Sequence, residues 1–275
     1  MDGSEKFKSY IGKPYMPLFK YYSNPDYVKD AILNNRIHLE KPCDYNDIYD
    51  SSFYMNKDSL SVINIGPRDN ALKALERSLP VDDKERINKT DLTTFEENDK
   101  ISKLMDIFCK QNPDVNRESI ENNFIQLISN NKLQQAPNIR LSCFSERNDS
   151  LLMWAYYANN YRGYCVEFDM SLDETLKNNL HKVQYSRCYE NHFGTFDNYF
   201  IKAESWQHEQ EWRIAIETED EFLPTSAVKA LYIGPRAIKE EYFKEILLPC
   251  QNIEFDIYMV KPNLSEYKLD FEKIN

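Results

Sequence analysis

Glycine is scarce in this chain. Only six of its 275 residues are glycine, where an average usage of about 7% gives about 19. Gly3, Gly12, Gly66, Gly163, Gly194 and Gly234 lie far apart. No two are spaced for a Gly-rich phosphate cradle, which excludes P-loop and dinucleotide fingerprints. The chain also lacks a Gly-x-Ser-x-Gly elbow and a His-Glu-x-x-His helix, the marks of two large hydrolase classes. Any nucleotide handled here must be gripped by side chains rather than by a glycine-lined backbone.

Charge narrows the partners. Against 34 Lys and Arg stand 45 Asp and Glu, a net charge of −11. Bulk nucleic-acid binding needs a basic surface that releases counterions, so none is expected. No apolar run reaches the ~18 residues of a membrane span, so no membrane partner is expected. The first residues lack the apolar stretch of a signal peptide. Cys43, Cys109, Cys143, Cys165, Cys188 and Cys250 are scattered without a Cys-x-x-Cys pair. This pattern reads as reduced thiols in a cytoplasmic protein.

The pattern of elements suggests one α+β domain over residues 1–275. A first strand runs from Tyr15 to Tyr22. Asn24-Pro25 then starts a helix, with an Asn cap and Pro at the first turn. Arg36 to Glu40 alternates like a short strand. About residues 68–135 the chain becomes polar and helical. Its apolar stripes are Ala71, Leu72, Leu75 and Leu79, then Ile101, Leu104, Met105 and Phe108, then Ile120, Phe124, Leu127 and Ile128. This block reads as a helical insertion. Strands return after Pro137: Ile139 to Cys143, Gly163 to Asp169, Val183 to Arg187, Trp212 to Glu217, Ala227 to Ile233 and Glu254 to Val260. Short helices at Leu151 to Asn159 and Ile238 to Leu248 separate some of them. The expected fold is therefore α+β, a twisted and mostly antiparallel sheet with flanking helices and an inserted helical subdomain.

Three constellations carry chemistry. On the strand after residue 210, alternation puts Glu211 and Arg213 on one face and Trp212, Ile214 and Ile216 on the other. A carboxylate held by a guanidinium stays ionised and can stabilise a developing cation; an ordinary surface ion pair would have the same spacing. Glu209 joins that face if the strand extends back, and His208 beside it is a candidate base. The second constellation is Ser145 with Glu146 at a strand end, followed by Trp154, Tyr157 and Tyr161, whose rings could stack on a base or fill a core. Cys143 has no histidine near it in sequence and makes a poor nucleophile. The third is a loop with Asp44, Asn46, Asp47 and Asp50, which suits Asx turns or a hard cation, although the spacing is not that of an EF-hand. The four histidines, His38, His181, His192 and His208, fit no zinc spacing. Lys20, Arg140 and Arg236 sit on or after strands and could meet phosphate.

The chain resembles the domain-of-unknown-function 2971 family, found mainly in bacteria and their mobile elements. The matching segments are Phe19-Lys20-Tyr21, Asn46-Asp47-Ile48-Tyr49-Asp50, Leu141-Ser142-Cys143-Phe144-Ser145 and Met153-Trp154-Ala155-Tyr156-Tyr157-Ala158. They continue with Gly163-Tyr164-Cys165-Val166-Glu167-Phe168-Asp169, Trp206-x-x-Glu209-x-Glu211-Trp212-Arg213 and Ile233-Gly234-Pro235-Arg236. In the early loop Ile48 and Tyr49 stand where that family usually has Pro and Phe. The order of a basic strand, an aromatic-Ser strand and a late Glu strand is also similar to the ADP-ribosyltransferase-like fold. That resemblance implies a site for NAD as substrate. Lys20 and Tyr21 would hold the dinucleotide, Ser145 would line the nicotinamide pocket, and Glu211 would favour an oxocarbenium-like transition state. The leading reading adds, beyond the resemblance, that Arg213 holds the geometry of Glu211, Arg236 joins Lys20 at phosphate, and Trp154 with Tyr157 walls the pocket.

The leading expectation is an ADP-ribosyltransferase-like enzyme that binds NAD or a nucleotide, in stress or phage defence. Two alternatives belong to other classes. One is a metal-dependent phosphodiesterase or nuclease built on Asp47, Asp50 and Glu211. The other is a non-enzymatic sensor or interaction protein. No resident metal is expected.

Overall fold

The computed structural model describes residues 16–47, 49–50, 58–61, 68–96, 99–135, 138–189, 196–240, 243–250 and 255–274. Tyr15, Ile48, Gly3, Gly12, Gly66, Pro137, His192, Gly194 and Glu254, named above, lie outside these. The backbones of Cys43, Ile128 and Cys250 are described, but not their side chains. The chain divides into two compact units. The first comprises residues 1–51, 138–189 and 199–275; the second comprises 52–137 and 190–198.

The first unit opens with strand β1 (Pro17–Tyr22), helix α1 (Pro25–Leu33) and strand β2 (Arg36–His38). The Asn24 side chain accepts from the Asp26 amide at 2.9 Å and Pro25 enters the first turn. Such a cap contributes about 1 kcal/mol. The second unit holds helices α2 (Arg68–Ser78), α3 (Ile101–Gln111) and α4 (Arg117–Gln135). Leu75, Leu104, Met105, Phe108, Ile120 and Phe124 form its own buried core. The expected stripes of 68–135 thus supply the interior of this unit.

The first unit resumes with β3 (Ile139–Ser145), α5 (Leu151–Tyr156), β4 (Tyr164–Asp169), α6 (Glu174–Asn179), β5 (Leu180–Lys182) and β6 (Gln184–Ser186). It continues with β7 (Ile201–Ala203), β8 (Glu211–Glu217), β9 (Phe222–Pro224), β10 (Val228–Ile233), α7 (Phe243–Cys250), β11 (Asp256–Pro262) and β12 (Leu269–Lys273). Eight strands form one sheet in the order β12-β11-β10-β4-β1-β3-β8-β5. Only β10 and β11 run parallel within it; the other pairings are antiparallel. The fold is α+β, as expected. No expectation covered the three-residue strands β5, β7 and β9.

The sheet is covered on both faces. Val28, Ala31 and Ile32 of α1, Leu176 of α6 and Ile246 of α7 pack with Leu18, Val166, Phe168, Ile214 and Leu231 on one. Trp154 and Ala158 pack with Phe19, Cys165, Tyr232 and Val260 on the other.

The middle of the sheet is its least regular part. β1 pairs with β4 at six successive positions, and β3 pairs with β8 at seven. Between β1 and β3 the register holds a single pair, Phe19 with Ser145. Farther along β3, Leu141 exchanges both backbone hydrogen bonds with Glu40, each at 2.8 Å. The segment leading into the 41–50 loop thus takes the place that β1 would have occupied, and the two halves of the sheet part there.

Two of the few glycines serve one close approach. The Gly234 amide donates to the Gly163 carbonyl at 3.0 Å. A Cβ on Gly163 would overlap the carbonyl oxygen of Tyr22 and the backbone of Ala158. These atoms are main chain and have no rotamer to yield. Gly163→Ala should therefore destabilise the protein by about 1–3 kcal/mol, read as the urea midpoint. An unchanged midpoint would contradict the close approach.

Candidate functional site

A cavity of about 320 Å³ opens where β1 and β3 part. This is at the small end of ligand pockets, about 300–1,000 Å³. Its walls include Phe19, Lys20 and Tyr21 of β1 and Cys143, Phe144 and Ser145 of β3. Glu211 and Arg213 of β8 also line it, as do Lys202 of β7 and Glu209 just before β8. Glu40, Asp44, Tyr45, Asn46 and Asp50 come from the segment that replaces β1 beside β3, and Met153, Tyr156 and Tyr157 from α5 and its end.

A buried charge cluster forms its floor. The Arg213 side chain is fully buried, and those of Asp50, Lys202, Glu209 and Glu211 are 2–5% exposed. Arg213 donates from Nη1 and Nη2 to the two Asp50 oxygens, at 2.6 Å each. It reaches Glu211 from Nε at 2.7 Å and from Nη2 at 3.1 Å, and the Tyr199 carbonyl from Nη1 at 2.9 Å. A guanidinium has five N–H donors, and all five are used. Lys202 Nζ donates to Glu209 at 2.5 Å and Glu211 at 3.1 Å, and lies 3.5 Å from Asp50.

Glu209 and Glu211 are two residues apart and both line the cavity, with a backbone irregularity between them. Gln210 adopts the left-handed conformation, φ 46°, between a 3-10 segment (Glu204–Glu209) and β8. That conformation costs a non-glycine residue about 1–2 kcal/mol. Neighbours hold it in place: Ser145 Oγ donates to the Glu209 carbonyl at 2.6 Å, and the Glu146 amide to the Gln210 carbonyl at 3.1 Å.

The two carboxyls titrate in opposite directions. Burial raises the Glu211 value, but the charges of Arg213 and Lys202 and the Arg213 hydrogen bond more than offset it. Glu211 is held well below the usual carboxylate range. For Glu209, burial outweighs the pull of Lys202, and repulsion from Glu211 adds to it, so its carboxyl is pushed up to about 7. Tyr157 donates to its Oε1 at 2.5 Å. A carboxyl that titrates near neutrality inside a cavity is suited to proton transfer.

The other expected residues divide. Tyr21 lines the cavity and donates its hydroxyl to the Arg147 carbonyl at 2.8 Å. Lys20 projects from the opposite face of β1, 5.8 Å from the Phe144 ring centre, and reaches the cavity through the gap. Ser145 lines the cavity, but its hydroxyl also accepts from the Arg147 amide at 3.1 Å. It positions the Gln210 turn, and neither of its bonds faces a ligand. Asn46 and Asp50 line the cavity, whereas Asp47 does not; its Oδ1 accepts from the Tyr49 amide at 2.9 Å in an Asx turn.

Two expectations need correction. Trp154 is fully buried in the core beside Tyr21, its Nε1 donating to the Asn148 carbonyl at 2.7 Å. It supports the wall without lining it, because helical periodicity turns it inward. Arg236 is exposed on the turn after β10, donates to the Asn160 carbonyl and lies over Tyr161, away from the cavity. Arg140 and His208 do not line it either. The Cys143 thiol, in contact with the Tyr45 hydroxyl at 3.1 Å, is pushed up by burial and is no ready nucleophile. Lys202 was missed. Its only local sign is one lysine within the otherwise apolar run Tyr199-Phe200-Ile201-Lys202-Ala203.

Asp50 and Glu211 converge, as a metal site built on them would need, but Arg213 bridges them and Lys202 sits beside both. Among the described residues no three His, Cys, Asp or Glu side chains group as metal ligands. Among the same residues, no helix is long and apolar enough to cross a membrane. In comparisons with known proteins, no family model, curated protein or solved structure matches the chain.

Two outcomes test this site. Arg213→Ala leaves Asp50 and Glu211 buried without their main partner, which should cost about 3–5 kcal/mol of stability in urea unfolding. Arg213→Lys should recover only part, because three donors replace five. The second outcome concerns pH. Between about 4.5, the ordinary glutamate value, and about 7, folded Glu209 keeps a proton that the unfolded chain releases. Stability therefore falls as pH rises through that window and levels off above it. Thermal melts of Glu209→Gln against the unaltered protein should show this fall removed.

Proposed function

We propose that this chain is an ADP-ribosyltransferase-like enzyme of the domain-of-unknown-function 2971 family, cleaving the C–N glycosidic bond of NAD or a related nucleotide. The observation that carries the reading is the row Phe19, Ser145, Glu211 across three adjacent strands. It sets the Ser and Glu positions of the resemblance side by side at one cavity where the sheet parts, with the basic position, Lys20, next to Phe19 on β1. The fully engaged Arg213 and the buried Trp154 fit this reading as supports rather than as ligand contacts.

As the bond breaks, the nitrogen keeps the electron pair and leaves as neutral nicotinamide, while positive charge develops on the ribose. Glu211, kept ionised by Arg213 and Lys202, supplies fixed negative charge beside that centre. The attacking water or acceptor hydroxyl bonds to the anomeric carbon, and its proton goes to Glu209. Tyr157 and Lys202 orient the Glu209 carboxylate for this. The enzyme is read as cytoplasmic, acting in bacterial stress or phage defence.

Glu209 offers a cleaner test than Glu211. Replacing Glu211 would also leave Arg213 and Lys202 under-compensated in the core, so lost activity would be confounded with lost fold. Glu209→Gln should lower nicotinamide release from NAD by about 10²–10⁴-fold. In the unaltered protein the rate should rise from pH 5 and level off above about 7, since a base must be ionised. Full activity in Glu209→Gln would overturn these roles.

A further inference from the structure

The cavity's charge bears on which part of a ligand it accepts. Among the described residues, five carboxylates line it: Glu40, Asp44, Asp50, Glu209 and Glu211. Three cations face them, Lys20, Lys202 and Arg213. Two of the three are already engaged by the protein's own carboxylates. The five N–H groups of Arg213 are all taken within the protein. Lys202 donates to Glu209 and Glu211 and lies at ion-pair distance from Asp50, so its charge is already shared among three carboxylates. Lys20 remains, beside the Phe144 ring, with no carboxylate at ion-pair distance among the described residues, although its charge acts on Glu40. A pyrophosphate in the interior would meet carboxylates and no available cation. Most of the remaining lining is aromatic, with Tyr21, Tyr156 and Tyr157 joined by Phe19 and Phe144. Carboxylates with aromatic faces are the chemistry that holds an organic cation.

We infer that the interior of the cavity takes a flat organic cation of the pyridinium type, with ionised Glu209 as its counter-ion, and that the ligand's phosphates stay outside, near Lys20. This rests on the proposed function for the identity of the ligand, and it makes the positively charged ring the recognised group.

The groups that face Glu209 are Lys202, Tyr157, Glu211 and Tyr185, with Asp50 and Arg213 behind them. Of its carboxyl contacts only Lys202 and Tyr157 favour ionisation by hydrogen bonding. A bound cation would add to that side, so its binding should be linked to loss of the Glu209 proton.

The test is calorimetry with the full chain and two ring probes of similar shape, the N-methylnicotinamide cation and neutral nicotinamide, with inorganic pyrophosphate as competitor. At pH 8 the cation should bind at least about tenfold more tightly than nicotinamide. Its affinity should fall by about tenfold from pH 8 to pH 6, while that of nicotinamide stays level. Pyrophosphate should not displace it. Glu209→Gln should lose both the preference for charge and the pH dependence. Should that variant fail to fold, Tyr157→Phe removes one hydrogen bond that favours the ionised carboxyl, and the midpoint of the pH dependence should move upward. Equal or tighter binding of neutral nicotinamide at pH 8, or displacement by pyrophosphate, overturns the inference. Cation-selective binding in a protein that does not cleave NAD supports it and sinks the catalytic reading. NAD cleavage without cation selectivity does the reverse.

Discussion

The guanidinium of Arg213 ties together three segments that are distant along the chain. It reaches Asp50 at the end of the early loop, the carbonyl of Tyr199 before β7, and Glu211 on its own strand. Buried ion networks of this kind are not a reliable source of net stability, since desolvation offsets most of the attraction. What the geometry supplies is registry. An apolar core would accept the early loop in several positions, whereas two parallel bonds of 2.6 Å accept it in one. The cavity exists because the loop stands where β1 would otherwise have continued beside β3, and the Arg213–Asp50 pair holds the loop's far end.

The same cluster makes two like residues unlike. Glu209 and Glu211 share Lys202, but only Glu211 has Arg213 as well. The second cation keeps Glu211 charged, and that charge in turn discourages ionisation of Glu209. Neighbouring groups thus divide one acidic pair into a carboxylate held ionised and a carboxyl that titrates near neutrality.

Much of the scaffold was legible in the chain. Asn24 and Pro25 announced a helix through local capping chemistry, and Leu75, Leu104 and Phe124 announced a helical core through their spacing. Alternation put Glu211 and Arg213 on one face of a strand. Legibility failed where the deciding partner is far away or the element is too short. Nothing near Asp50 points to Arg213, and the apolar run around Lys202 is its one local sign of burial. Spacing leaves Trp154 open between wall and core, because an aromatic at helical spacing has the same pattern in both. The left-handed turn at Gln210, which separates Glu209 from the strand that holds Glu211, has no signal, since no glycine marks it.

The Asp50–Arg213 contact spans 163 residues, and the chain of the second unit lies wholly inside that span. Loop-closure entropy grows only with the logarithm of length. Residues 52–137 roughly double the loop and so add about 0.6 kcal/mol to its closure. Because the second unit has its own core, it can form from local contacts before the long-range pair is made. A helical block so placed can lengthen, shorten or change its surface at small thermodynamic expense to the site whose closure depends on its two ends.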